Sequence, residues 1–221
     1  MSERSVSPTV YGIETECSYT LTLPDNITPK LKNMCRAVYV QLGLDREPDD
    51  MEDYQFRHIR EALGLMGIYS NYAGMLTNGG RLYLEPSGLE YDTPETLTAA
   101  ETVDYYFDGD AIVLGIFEYF CRQGVLKDYQ LNRRAVDYTR SSRGIHLNTC
   151  TQLKATPATV EQLAALNVVK GAIFGSGGLL VDEDGRMEYH HSPRLSVTDS
   201  LEGGSTQHSE RPYFITKNDK A

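Results

Sequence analysis

Residues 78–95, NGGRLYLEPSGLEYDTPE, hold the densest chemistry in the chain and set the reading of its fold. Along RLYLE the side chains alternate, so Arg81, Tyr83 and Glu85 share one face of a predicted strand while Leu82 and Leu84 take the other. The leucines belong to the core. That leaves a guanidinium, a phenol and a carboxylate in a row on the open face, followed after Pro86-Ser87-Gly88 by another carboxylate, Glu90. Past Tyr91 the order Thr93-Pro94-Glu95 reads as an N-cap, a first helical position and an acidic first turn, which predicts a helix start.

The same spacing recurs upstream in residues 11–16, YGIETE, where Ile13 and Thr15 alternate with Glu14 and Glu16. If both strands lie in one sheet, Glu14, Glu16, Glu85 and Glu90 converge on one surface, and like charges that close do not all stay ionised unaided. A hard cation resolves the conflict. Magnesium is usually held by one or two carboxylates plus substrate phosphates, and Arg81 beside it suits a phosphate. The alternative is an antiparallel sheet with one face in water, its glutamates doing no more than solvating that face.

YGIETE, followed by MLTNGGRLYLEPSGLEYDTPE at 75–95, resembles the paired signatures of the Pup ligase and deamidase/depupylase family, relatives of glutamine synthetase and the carboxylate-amine ligases. The match continues downstream. Asp137, Ser141, Ser142 and the GIHLN of residues 144–148 resemble the family's Asp, glycine and His-Glu-Asn segment. GSGG from Gly175 resembles its Gly-Ser-Gly turn, and SERPYFITKND at 209–219 its Arg-Pro-x-x-Asn-Thr-Arg-Asp-Glu run. The order is collinear along the chain.

This resemblance implies an α+β fold of glutamine-synthetase type, with a mixed, largely antiparallel sheet, helices packed on one face, and a chain truncated relative to the family. It implies ATP and Mg2+ as cofactors. Glu14, Tyr83 and Glu90 match magnesium contacts, Arg81 and Thr93 nucleotide contacts, and Glu85 the catalytic base. Glu16, which shares the strand face of Glu14, and His146, which precedes the Leu147 where the family has a glutamate, join the metal candidates. The family's base is an aspartate with one residue more before the next metal glutamate, so Glu85 is a methylene longer on an altered turn.

The function implied is Pup-related chemistry at an amide or isopeptide bond with Mg-ATP. In deamidation or depupylation Glu85 would assist attack on a carbonyl; in ligation through an acyl phosphate it would deprotonate a substrate lysine. The long insertion before NGGR leans toward the deamidase branch. Pup or a Pup-like protein and pupylated substrates are the implied partners, with a second chain supplying the family's C-terminal part if the enzyme is split. Rival readings are a non-catalytic nucleotide-binding or regulatory remnant of the family, and an ATP-dependent ligase for a small amino acid.

Composition sets outer bounds. The 221 residues suffice for one sizeable core, and the expectation is a single domain over residues 1–221. A net charge of −10, from 31 acidic and 21 basic residues with no basic stripe, argues against nucleic acid as a partner. Cys17, Cys35, Cys121 and Cys150 form no Cys-x-x-Cys pair, and no apolar run reaches spanning length. A reducing, cytoplasmic setting without membrane association is therefore expected.

In chain order, the first strand is predicted over about residues 10–21, and a helix opening at Thr28-Pro29 carries Leu31, Met34, Val38 and Leu42. The acidic run 45–53 reads as a solvated face. A second helix carries Phe56, Ile59, Leu63 and Met66; helical signal then runs from Thr93 to Tyr106 and from Asp110 to Cys121, ending at Gly124. Its aromatic residues read as core. Arg133, Arg134, Arg140 and Arg143 form a local positive surface that is either an anion site or ordinary hairpin surface. Thr156-Pro157 opens a helix carrying Val160, Leu163, Leu166 and Val169, and Asp184-Gly185 marks a hairpin.

Overall fold

The computed structural model describes residues 9–25, 38–39, 42, 57–71, 74–85, 88–132, 136, 143–150, 156–175, 177–182, 184–198, 200–203 and 212–215, without the side chains of 84, 85, 167, 172, 200–203 and 212–215. Most of the helix expected from Thr28, the acidic run, Arg133, Arg134, Asp137, Arg140, Ser141 and Ser142 therefore lie outside the described residues. Backbone contacts gather into two compact units, Met1–Asn132 with Gly144–Thr151, and Arg133–Arg143 with Gln152–Ala221.

The first unit contains β1 (Val10–Glu16), β2 (Ser18–Thr22), α1 (Arg57–Leu65), β3 (Arg81–Glu85), β4 (Gly88–Asp92), α2 (Ala99–Arg122), β5 (Asp128–Asn132) and β6 (Ile145–Cys150). Its main sheet has the order β3-β4-β1-β6, with every pairing antiparallel. The single strand expected over 10–21 is interrupted at Cys17. There the Cys17 N–H donates to Leu89 O at 2.9 Å, the thiol is buried, and β2 leaves to pair antiparallel with β5.

Alternation does the rest. Leu82, Leu89 and Tyr91 project from one face of the sheet into a core with Ile59 and Leu63 of α1 and Val113, Ile116, Phe117 and Phe120 of α2, all at most 1% exposed. Both helices thus pack on the apolar face. Fully burying side chains of this size stabilises the unit by about 1.5–3 kcal/mol each before conformational entropy is counted.

The helix expected at Thr93 begins later. Thr93 N–H donates to Ile13 O at 2.8 Å, and Thr96 exchanges both main-chain hydrogen bonds with Tyr11 at 2.9 Å, so these residues continue alongside β1. Thr98 is the true N-cap: its hydroxyl accepts from Glu101 N–H at 3.2 Å and reaches Glu101 Oε2 at 3.0 Å, in the Thr-x-x-Glu spacing of a capping box. The two helical stretches predicted after it are one helix of 24 residues. Gly109 sits inside it because a side chain there would fall on the Tyr91 ring. The helix stops before Gly124, as expected, whose φ of 70° suits glycine.

The second unit holds α3 (Pro157–Ile173), the antiparallel hairpin β7 (Gly178–Val181) and β8 (Met187–His190), a 3-10 turn (Pro193–Val197), and the parallel pair β9 (Ser200–Gly203) and β10 (Pro212–Ile215). Thr156 caps α3 by accepting from Thr159 N–H at 3.2 Å, and Gly185 makes the hairpin turn at φ 78°, both as predicted. Among the described side chains of α3, Ala164 is buried, whereas Leu166 and Val169 are exposed. Of the apolar residues expected along α3, Leu163 is also exposed. The protein is thus α+β, with mixed, largely antiparallel sheets. No helix among the described residues is long and apolar enough to cross a membrane.

Candidate metal and phosphate site

The site grows out of strand register. Glu14 on β1 lies opposite Asp92 on β4 and opposite His146 on β6; Glu16 lies opposite Glu90. On the other side of β4, Arg81 pairs with Asp92 and Tyr83 with Glu90. With a period of two along each strand, all seven residues share the face turned away from the helices. Four carboxylates, a phenol, an imidazole and a guanidinium therefore meet on one surface, although they come from positions up to 132 residues apart.

Glu14 is the centre. Its Oε1 accepts from the Tyr83 hydroxyl at 3.1 Å, and its Oε2 is 2.8 Å from His146 Nδ1. The Arg81 guanidinium lies over the Tyr83 ring, 4.4 Å from its centroid. Glu90 is only 4% exposed. One ligand atom from each of Glu14, Glu90 and His146 falls within 4.8 Å of the others. Two carboxylates and an imidazole this close, with a phenol oxygen adjoining, are a donor set that fits a divalent cation; the oxygens suit magnesium or manganese, and the imidazole is the softer ligand.

Protonation equilibria register the crowding. Burial, then the charge of Glu14, lifts the Asp92 carboxyl to about 6, with Arg81 pulling the other way. Burial and the carboxylates of Asp92, Glu90 and Glu14 push the Tyr83 phenol far above its usual range. The hydrogen bond to Glu14 raises His146, against the opposing effect of its burial. All three shifts have the sign expected of excess negative charge in a partly desolvated site.

A family model described as Pup-ligase protein matches residues 9–221. The chain belongs to the Pup ligase family. Among solved structures it is similar to one determined as the complex between the prokaryotic ubiquitin-like protein Pup and its ligase PafA, at TM-score 0.57 and 20% identity, over 86% of this chain. That likeness is one of fold. The chain spans about a third of the solved chain's length, 35%. No curated protein matches it.

For this Pup ligase family member, register decides where each sequence candidate stands. Glu14, Tyr83, Glu90 and His146 come together, and Arg81 flanks them. Glu16 shares the face but is engaged differently: its Oε2 accepts from Gly144 N–H at 2.8 Å, and its own N–H donates to Gly144 O at 3.0 Å, which fastens the start of β6. Thr93 is 8% exposed, with its hydroxyl accepting from Ile13 N–H at 3.0 Å and donating to Pro94 O at 3.1 Å, so its proton is committed to main chain. Glu85 ends β3, paired with Gly88; its side chain lies outside the described residues. Gly88, at φ 135°, packs against the Tyr19 hydroxyl.

Position 147, where the family resemblance calls for glutamate, faces the other way. Leu147 pairs with Ile13 and is 54% exposed on the face opposite Glu14, so the missing glutamate is not a loss from this surface. His146 occupies the site instead. Sequence reading missed Asp92, although it stands two residues beyond Glu90, the same interval that singled out Glu14 and Glu16.

These shifts fix a pH dependence. Asp92 has a folded-state value near 6, above its unfolded 3.8, so the folded state binds the extra proton. Its contribution to stability is full below 3.8 and lost as pH rises through 6. His146 acts in the same sense above 6.5. Because Asp92 is only half-buried, its share is expected to be about 1 kcal/mol after solvent screening. Urea unfolding without divalent cations should therefore show Asp92→Asn losing that decline between pH 4 and 6.5. An identical decline in both proteins would contradict the assignment.

Proposed function

We propose that the polar face of β1, β3, β4 and β6 binds magnesium and the phosphates of ATP, and that the chain serves Pup-related chemistry at an amide or isopeptide bond. The observation that carries this is the approach of Glu14, Glu90 and His146 to within 4.8 Å on one sheet face, in a chain matched by the Pup-ligase family model over residues 9–221. Bound magnesium would supply the positive charge that lets a polyanion approach four carboxylates and that stabilises charge developing on a carbonyl or phosphoryl oxygen.

The chain's own residues divide the remaining work. Glu14 and Glu90 would hold the cation, with Tyr83 orienting Glu14 through its hydroxyl and His146 doing so from the other side. Arg81, fixed over the Tyr83 ring and open to solvent, is placed to take a phosphate. Glu85, two residues beyond Tyr83, is our candidate base: for water attacking an amide carbonyl in deamidation or depupylation, or for a substrate lysine in ligation. Glu16 serves by anchoring β6, and Thr93 by tying the end of β4 to β1.

The test is incubation of the purified chain with ATP, magnesium and Pup ending in glutamine or in glutamate, followed by mass spectrometry of Pup. Conversion of glutamine to glutamate assigns the deamidase reading, and an adduct on a lysine-bearing acceptor the ligase reading. Unchanged Pup with Glu14-dependent ATP binding assigns a nucleotide-binding, non-catalytic member. Absence of ATP and cation binding sinks the proposal.

A further inference from the structure

We infer that Asp92 makes phosphate binding at Arg81 conditional on a divalent cation; this rests on the metal and phosphate reading above. Asp92 is flanked across the sheet by Glu14 on β1 and by Arg81 on β3, so it is the carboxylate between the cation-holding glutamate and the phosphate-facing guanidinium. The Tyr83 hydroxyl lies between the two carboxylates, 3.1 Å from Glu14 Oε1 and 3.5 Å from Asp92 Oδ1. A phenol has one proton to give. The shorter contact claims it for Glu14, and Asp92 Oδ1 then faces a phenol oxygen whose proton is spent.

Asp92 accordingly draws on positive charge, for which the register supplies one source and the proposed cation would be a second. One is Arg81, directly across β3 and held over the Tyr83 ring. The other would be the cation held beside Glu14. When no cation is present, Asp92 engages the field of Arg81 and repels an incoming polyanion together with Glu14, Glu16 and Glu90. When a cation is bound, Asp92 turns its charge to it, and Arg81 is released for phosphate. Asp92 is thus a positioning residue that couples the two ligands: cation first, triphosphate second. Such reciprocal coupling must appear in both binding equilibria.

Titration calorimetry on the full chain separates this from its alternatives, with Mn2+ alone, with sodium ATP in EDTA, and with both ligands. Wild type is expected to bind Mn2+ and to show no detectable ATP binding in EDTA. In Asp92→Asn, a near-isosteric change, Mn2+ affinity is expected to fall about tenfold, as for loss of a supporting carboxylate, and ATP binding in EDTA to become measurable. Asp92→Glu, which keeps the charge, is expected to restore the dependence on cation. If wild type binds Mn2+ through Glu14 while Asp92→Asn matches it in both titrations, the inference about Asp92 fails and the site stands. If Asp92→Asn lowers only the unfolding temperature and leaves both titrations unmoved, its role is structural and the inference fails. If wild type binds neither ligand, the parent reading fails and carries this one with it.

Discussion

Glu14→Ala is expected to weaken Mg2+ or Mn2+ binding by more than about 100-fold, beyond the 10–100-fold typical when only an outer supporting group is lost. The reason is geometric. Glu14 joins both sides of the site, with one carboxylate oxygen toward Tyr83 and the other toward His146, and its neighbours Glu90 and Asp92 stand on β4. Under the proposed reading, removing it would delete a ligand and the acceptor that aligns Tyr83 and His146. Stability responds differently: the hydrogen bonds to Tyr83 and His146, worth about 1 kcal/mol each, disappear, but so does the carboxylate that burdens Asp92. The two effects oppose, and without cation the variant is expected to unfold within about 1 kcal/mol of the parent at neutral pH. Calorimetry and urea titration measure the two quantities separately. Undiminished cation affinity in a folded variant would remove the site.

The largest loss of stability is expected at Tyr91, the residue between Glu90 and Asp92 on the opposite face. It is 1% exposed, its ring fills the space that Gly109 leaves on α2, and its hydroxyl accepts from Asn78 Nδ2 at 3.1 Å. Asn78 in turn accepts from Gly80 N–H at 2.9 Å, fixing the turn into β3. Tyr91→Ala should cost about 3–5 kcal/mol, the range for emptying a buried aromatic position. Tyr91→Phe should cost about 1 kcal/mol through the hydrogen bond alone. Gly109→Ala gives a test of opposite sign to propensity: alanine in a helix interior ordinarily gains about 1 kcal/mol over glycine, yet here overpacking against the ring should destabilise by about 1–3 kcal/mol. A stabilised Gly109→Ala, read by urea denaturation, would show that the helix does not lie against Tyr91 as described.

Much of the site was legible because strand alternation is a local rule. Glu14 and Glu16 on one segment, and Arg81 and Tyr83 on another, declare their shared faces without any knowledge of the fold. What joined the segments was the resemblance, since pairing register is set by contacts between distant residues. The same rule applied one step further would have included Asp92, and would have shown that His146 and Leu147 cannot share a face. Helix boundaries were less legible. Thr93-Pro94-Glu95 and Thr98-Ala99-Ala100-Glu101 both carry start signals, and the pairing of Thr96 with Tyr11 decided between them. The interruption at Cys17 had no local signal; it follows from the main-chain bond to Leu89, which belongs to another strand.

Glu14 draws its partners from 69 residues away on one side and 132 on the other. Among the described residues β6 is the end strand of the order β3-β4-β1-β6, and a sheet margin is where local opening is expected to begin. Fraying there would separate His146 from Glu14 without disturbing the core behind Tyr91. A cation held by Glu14, with His146 orienting that carboxylate, would therefore act as a clasp on the sheet's margin, slowing hydrogen exchange along β6 while leaving α2 unaffected.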